Sequence, residues 1–364
     1  MKKIKIPLQQ NPYDVLIGAG TLKSFQKELV KRKLDRIIFT VVDSNVQKHH
    51  KNLLTETLYA NSDKKKSFLF RSGEKNKNFD NLQAILKKML AVKIGRDGLV
   101  VALGGGIVGD VTGFAASTFM RGIKYVQIPT TLLAAVDSSV GGKTGINFYE
   151  TKNIVGSFYQ PDLVVVDIDF FKTLTSEEIL CGIGELTKYA FITDKKFYKY
   201  IDNNLNNLFE LQPTVVEKVI AESVKYKGSV VVSDEKESGV RKVLNFGHTF
   251  AHAFEVEQNY KIKHGQAVIL GISCALHLSN KMKLINDKQL EEYCELIHKF
   301  KDKIKIKTYD KRKLYNIMLR DKKNRDGKIK FVLIKNIGEI LLDVEAVKED
   351  VFYALDKGLY EFTR

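Results

Sequence analysis

Short apolar runs alternate with amphipathic segments through the first half of the chain. RIIFTVVD at 36–43, KSFLF at 66–70, LVVAL at 99–103, KYVQIP at 124–129 and LVVVD at 163–167 are apolar over most of their length. This is the pattern of strands joined by helices in a parallel sheet. Between them, residues 79–92 place Leu82, Ile85, Leu86, Met89 and Leu90 at helical spacing. MKKIKIPLQQNPYDV, at the start, alternates polar and apolar with no apolar block behind it, so it reads as a first strand and not as a signal peptide. Beyond about residue 175 the β-branched runs give way to helical periods at 177–192, 214–227, 245–258 and 266–281. One hairpin is expected there, from KIKFVLI at 328–334 through a turn at 336–338 into EILLDV at 339–344. The pattern therefore predicts an α/β domain over 1–175 followed by a mostly α-helical domain over 176–364.

A length of 364 residues suits two such domains. Apolar residues at 44% and charged residues at 28% are ordinary for globular proteins and exclude disordered and fibrous classes. No apolar run reaches the roughly 18 residues that span a bilayer, so no membrane partner is expected. Cys181, Cys274 and Cys294 stand far apart without CxxC spacing, as buried free thiols of a reducing cytoplasm would. The net charge of +16 comes largely from lysines scattered along the chain. It fits a solvated surface or an acidic small substrate; no nucleic-acid signature accompanies it, and no nucleic-acid partner is expected.

Candidate chemistry gathers in three places. LVVALGGGIVGD at 99–110 is an apolar strand, then Gly104, Gly105 and Gly106, then the start of a helix. Such a turn lets backbone N–H groups approach a pyrophosphate, which implies a dinucleotide site. Its GGGxxGD spacing departs from the GxGxxG of ordinary dinucleotide-binding dehydrogenases. Asp43, in VVDSN at the end of an earlier strand, suits either a ribose hydroxyl or the start of a turn.

In LNFGHTFAHAFE, His248 and His252 stand four apart on one helical face; His264 follows in HGQA, and Glu185 lies upstream in GIGELTKY. A single helical histidine is more often a packing residue, and Glu185 alone reads as a surface charge. Three of seven histidines falling within 17 residues, beside Arg241 and Asn245, point instead to a divalent metal such as zinc with an open coordination position. The third place is PTTLLAAVDSSVGGKTGIN at 129–147, with Asp137, Gly141, Gly142 and Lys143. Lys152, Asn153, Lys188, Lys227, Arg241 and the DKK at 321–323 add polar and cationic groups of the kind a phosphorylated, carboxylated substrate needs. Spacing alone does not show that they converge.

The motifs GGGIVGDVTGFAAS, FMRGIKYVQIPTTLLAAVDSSVGGKTGIN, KNIVGSFYQP, GIGELTKY, DEKESGVRKVLNFGHTFAHAFE, HGQAV and DKK, in this order, resemble the 3-dehydroquinate synthase family of sugar-phosphate cyclases. The resemblance implies a Rossmann-like NAD-binding domain, then a helical metal- and substrate-binding domain, with the active site in the cleft between them. It implies conversion of 3-deoxy-D-arabino-heptulosonate 7-phosphate to 3-dehydroquinate with loss of phosphate, the second step of the shikimate pathway. On this likeness the zinc ligands, with cobalt as a possible substitute, are Glu185, His248 and His264, and His252 serves in acid/base relay. Catalytic and substrate-binding positions fall on Asp137, Lys143, Asn153, Lys188, Lys227, Arg241, Asn245, Lys322 and Lys323, with Lys152 between cofactor and substrate. Arg121, in FMRG, matches an arginine that reaches the neighbouring subunit's site in a homodimer. NAD contacts fall on Asp43, Asn45, Glu74, Lys77, Gly104, Gly105, Gly106, Asp110, Thr130, Thr131, Lys143, Thr173 and Glu178.

Three departures from the family pattern stand out: Gln266 where Glu is usual, Ala251 where Gly is usual, and Gly228 where Ala is common. Gln266 is expected to weaken the orientation of His264. Cyclases acting on sedoheptulose 7-phosphate or glucose 6-phosphate are the near rivals, and VDSSVGGKTGIN argues against them. A metal-dependent polyol dehydrogenase would accumulate NADH and would not need so many cations.

Overall fold

The computed structural model describes residues 1–59, 66–149, 151–320 and 328–363. Contacts divide the chain into two units, Met1–Ile179 with Glu210–Lys236, and Leu180–Phe209 with Glu237–Arg364.

The strands of the first unit are β1 (Lys2–Ile6), β2 (Tyr13–Gly18), β3 (Ile38–Asp43), β4 (Ser67–Phe70), β5 (Leu99–Gly104), β6 (Lys124–Pro129), β7 (Lys143–Phe148), β8 (Thr151–Phe158) and β9 (Leu163–Asp167). Seven of them form one sheet in the order β1-β2-β9-β6-β5-β3-β4, parallel except for the β1–β2 pair. Every residue of β3, β5 and β9 is buried. That is why these segments read as continuous apolar runs and not as alternating ones.

Between these strands run the helices α1 (Phe25–Lys31), α2 (Ser44–His49), α3 (Lys51–Glu56), α4 (Phe79–Ala91) and α5 (Gly106–Thr118). α4 contributes Leu82, Ile85 and Met89, and α5 contributes Val108, Val111 and Phe114, to a core over Phe39, Val41, Val100 and Ala102 of the sheet. From β3 the chain moves outward to β4 and then returns to the other side as β5. The strand order thus reverses between β3 and β5, the position where open α/β sheets bind nucleotides at their carboxyl ends.

The β7–β8 hairpin is absent from the sequence expectation. Gly145 and Gly156 face each other across it, and a Cβ on Gly156 would lie 2.0 Å from the Thr144 carbonyl oxygen. A hairpin built on glycines, with β8 largely exposed, leaves no β-branched run to read.

The helices that follow are α6 (Ser176–Ile192), α7 (Lys195–Asn203), α8 (Leu205–Phe209), α9 (Pro213–Ser233), α10 (His248–Glu257), α11 (His264–Lys281), α12 (Asp287–His298), α13 (Lys311–Leu319) and α14 (Lys348–Leu359). Before α14 comes the expected hairpin, β10 (Lys330–Asn336) and β11 (Glu339–Glu345). In the second unit α11 packs against α10, α12, α14 and β10, and 13 of its 18 residues are buried. It reads apolar all round because it is the unit's central helix.

The division of the chain differs from a single cut after residue 175. α9 packs with the first unit, on β1 and β2. Its Val216, Val219, Ile220 and Val224 are buried there, and Gly228 admits the tip of Ile6, whose Cδ1 would stand 2.5 Å from an added Cβ. A helical period shows that a segment is amphipathic but not which unit its apolar face covers. Among the described residues no helix is long and apolar enough to cross a membrane.

Candidate metal centre and nucleotide-binding turn

Within the second unit, three helices meet through glycines that directly adjoin charged or imidazole side chains. A Cβ on Gly184 of α6 would lie 2.2 Å from the Gly265 carbonyl oxygen of α11, and one on Gly265 would lie 2.1 Å from that of Cys181. Gly247, at the start of α10, has φ +78, and a Cβ on Gly271 of α11 would lie 2.2 Å from its carbonyl oxygen. Backbone contact of this kind is open only to glycine. The next residues are Glu185 and His248, and the residue before Gly265 is His264. The same glycines that seat the helices therefore bring these three side chains together.

Their candidate ligand atoms all lie within 4.8 Å of one another. Glu185 Oε1 is 3.0 Å from His264 Nε2 and 3.4 Å from His248 Nε2. Those spacings match the roughly 3.3 Å edge of a tetrahedron with metal–nitrogen bonds of about 2.0 Å. The other carboxylate oxygen, Oε2, is 2.5 Å from Lys188 Nζ. Glu185 and Lys188 are both 1% exposed. Nδ1 of His248 lies 3.2 Å from the Phe246 carbonyl oxygen, and Nδ1 of His264 lies 3.5 Å from Glu255 Oε2. One carboxylate and two imidazoles whose Nε2 atoms face inward are a donor set that fits a divalent cation.

Electrostatics separates the two imidazoles. Burial opposes charge on His264, but the Glu185 and Glu255 carboxylates outweigh it and lift the ring to about 10. In His248 burial prevails over the pull of Glu185 and lowers the ring to about 4. Burial acts against the Glu185 charge as well, yet Lys188 and the imidazoles hold this carboxyl well below its ordinary range.

His252 sits beside this set, with its ring centroid 5.5 Å from that of His248, and is not part of the ligand cluster. Arg241, 2% exposed, and Asn245 lie on the short helical turn Val240–Asn245 just before α10; Asn245 Nδ2 donates to Glu237 Oε1 at 3.1 Å. Lys322 and Lys323 fall outside the described residues.

In the first unit the glycine turn joins β5 to α5. Gly105 is the N-cap, without a side-chain cap for the first helical N–H groups. A Cβ on Gly105 would meet Thr131 Cγ2 at 3.2 Å, and one on Gly106 would meet Ser138 Oγ at 2.8 Å. Thr130 donates its N–H to the Gly104 carbonyl, and Thr131 Oγ1 accepts from Ala134 N–H. Bare backbone donors at a helix N-terminus, at the sheet's switch point, fit the pyrophosphate of a dinucleotide.

Lys77, 5% exposed, links two neighbours of this turn: its Nζ is 2.6 Å from Asp110 Oδ2 and also bonds Asn153 Oδ1. Burial raises the Asp110 carboxyl above its usual range, with the Lys77 ammonium pulling the other way. Glu74 accepts from Asn147 Nδ2 at 2.8 Å, next to the same network. Lys227 Nζ bonds both the carbonyl and the carboxylate of Asp137, at 2.8 and 3.0 Å. Lys143 and Lys152 stand on β7 and β8.

Several other expected residues have partners of their own. Asp43 caps α2 by accepting from Asn45 N–H at 2.8 Å, and also accepts from Ser72 Oγ, so its turn-starting role is real. Thr173 pairs with His50 at 2.8 Å, and Glu178 accepts from Thr175 N–H. Arg121 is exposed in a turn with φ +68. Gln266 does not take the role expected of it. Its Oε1 accepts from Lys263 N–H at 3.1 Å and caps α11, which a glutamine does as well as a glutamate. The residue on His264 is Glu255, which sequence reading missed; the signal available was its position seven residues after His248, two turns along the same face.

Comparison with known proteins agrees with these features. Residues 67–181 match the family described as 3-dehydroquinate synthase N-terminal, and residues 182–324 match 3-dehydroquinate synthase C-terminal. The chain is 42% identical over 349 residues to the 3-dehydroquinate synthase of Alkaliphilus metalliredigens, covering 95% of this chain and 97% of that one. Among solved structures, 2-deoxy-scyllo-inosose synthase complexed with carbaglucose-6-phosphate, NAD+ and Co2+ shares the fold, with a TM-score of 0.88 at 24% identity over 98% of this chain and 100% of that one. So does 2-epi-5-epi-valiolone synthase from Streptomyces hygroscopicus with NAD+ and Zn2+ bound, at a TM-score of 0.84 and 23% identity over 97% and 98%. From its paired family matches, its near full-length likeness to a curated relative and its glycine-seated Glu–His–His cluster, the chain belongs to the 3-dehydroquinate synthase family of enzymes.

Proposed function

We propose that the protein converts 3-deoxy-D-arabino-heptulosonate 7-phosphate to 3-dehydroquinate and phosphate, with NAD and a divalent metal, zinc or in its place cobalt. The observation that carries this reading is the clustered Glu185–His248–His264 set in a chain that matches 3-dehydroquinate synthases along nearly its whole length. When bound, the metal supplies Lewis acidity toward substrate hydroxyls and NAD a reversible hydride acceptor, so that a transient ketone permits β-elimination of phosphate with no net oxidation.

The chain's own groups supply binding and proton transfer. Glu185, His248 and His264 hold the metal. The N-terminal turn of α5 receives the pyrophosphate, with Lys77 and Asp110 fixing that region and Asp43, Asn45, Glu74, Thr130, Thr131, Thr173 and Glu178 completing the NAD contacts. Lys188 and Arg241, both buried cations, hold anionic substrate groups, which is favourable because they are already desolvated and in place. Asp137, Lys143, Lys152, Asn153, Lys227, Asn245, Lys322 and Lys323 complete substrate binding. His252, whose ring centroid is 5.5 Å from that of His248, passes a proton.

The assembly is a homodimer in which Arg121 completes the neighbouring site. In support, Met120, Ile154 and Phe158 are exposed apolar side chains, and the Met120–Arg121 turn is tied to the end of β8 by Tyr159 Oη donating to the Ile123 carbonyl at 2.7 Å. The three cysteines are buried and free, in keeping with a cytoplasmic location.

The test is inorganic phosphate release with NAD and zinc from three substrates: the heptulosonate 7-phosphate, sedoheptulose 7-phosphate and glucose 6-phosphate. Release from the first alone is expected. Release only from a substrate lacking the carboxylate would assign the chain to another cyclase activity.

A further inference from the structure

Beside the three proposed ligands lies a buried carboxylate with no assigned task. Glu255, 8% exposed, is on α10 seven residues after His248, so it faces the same way two turns later. Its Oε2 is 3.5 Å from Nδ1 of His264, and Nε2 of that ring is 3.0 Å from Glu185 Oε1. His248 is arranged alike, but its Nδ1 faces the Phe246 carbonyl at 3.2 Å. Each ring thus has an acceptor at Nδ1 and turns Nε2 to Glu185. An acceptor at Nδ1 places the proton there and leaves the Nε2 lone pair for a cation, and a carboxylate also makes the ring a stronger donor than a carbonyl does. The need differs between the two rings. The His248 side chain is 11% exposed and lies in the first turn of α10, held by the Gly247–Gly271 contact, whereas the His264 side chain is 31% exposed.

We propose that Glu255 is the positioning residue of the metal centre: its carboxylate fixes the orientation and tautomer of the more exposed ligand, His264, and thereby sets metal affinity. The proposal rests on the reading of Glu185, His248 and His264 as ligands. It also explains why Gln266 is acceptable next to His264, since the carboxylate that holds the ring comes from α10 and not from the HGQ segment.

The test is Co2+ binding to the full-length, metal-free protein by chelator competition, with the visible Co2+ spectrum recorded, for the parent, Glu255→Gln, Glu255→Leu and His248→Ala. Glu255→Gln keeps an acceptor and loses the charge; Glu255→Leu loses both. The Kd should rise about 10-fold in the first and nearer 100-fold in the second. The spectrum should shift in both, while NAD binding and the far-ultraviolet circular dichroism of the metal-free protein stay parental. Parental Kd and spectrum in both variants overturn the proposal, and if the Leu variant does not fold, parental values for the Gln variant alone do so. A parent that binds no Co2+, or a His248→Ala protein that binds it as tightly as the parent, overturns the ligand reading itself and this proposal with it.

Discussion

Glu185 presents one oxygen to two imidazoles and the other to Lys188, so each nearby side chain has a distinct task. His248→Ala removes a ligand and should yield protein without stoichiometric zinc on elemental analysis. His252→Ala removes a ring outside the ligand cluster and should retain one zinc while turnover falls about 10²–10⁴-fold, the range for a lost general acid or base. Full zinc in purified His248→Ala protein would refute the assignment. In the first unit, Lys77→Ala breaks the links to Asp110 and Asn153 and should weaken NAD binding at least several-fold by calorimetry, with metal content unchanged. At this scale the sequence was readable where chemistry repeats along one segment, as with histidines four apart. It was unreadable where partners come from separate segments: Lys77 with Asn153, and Lys227 with Asp137, meet only through the fold.

Among the elements, the decisive contact is the crossing of α6 and α11 at Gly184 and Gly265. Gly184→Ala drives a methyl group against backbone, which cannot move as a side-chain tip can. It should cost about 3 kcal/mol in denaturant unfolding and lower zinc content as well, because Glu185 and His264 adjoin the crossing. Gly228→Ala meets only the end of the Ile6 side chain. It should cost about 1 kcal/mol, and less when combined with Ile6→Val, which removes the methyl in the way. Additive costs in that double mutant would show that the two positions do not share space. The strands were legible where burial is complete on both faces: KYVQIP and LVVVD coincide with β6 and β9. β7 and β8 were not, because their glycines and exposed positions carry no periodic signal.

Over the whole molecule, the change from strands to helical periods near residue 175 was visible, and the return of α9 to the first unit was not, since the partner of an apolar face is a property of the fold. The excess of lysine carries little structural information; several lysines pair with exposed carboxylates, as Lys328 does with Glu345, which contributes little to stability. The proposed dimer makes a sharper prediction. Neither His248→Ala nor Arg121→Ala protein should be active alone. Mixed after subunit exchange, half the dimers are hybrids with one intact site in two, so about a quarter of parental activity should return. No recovery above the separate variants would place Arg121 in its own subunit's site or outside any site.

The central claim is most directly tested by following phosphate, dehydroquinate and NADH together after supplying 3-deoxy-D-arabino-heptulosonate 7-phosphate to chelator-stripped protein with NAD, before and after adding zinc. The account predicts no turnover until zinc is added, then one phosphate released for each dehydroquinate formed, with no accumulation of NADH. Phosphate release that is indifferent to zinc, or NADH accumulating in step with product, would contradict it.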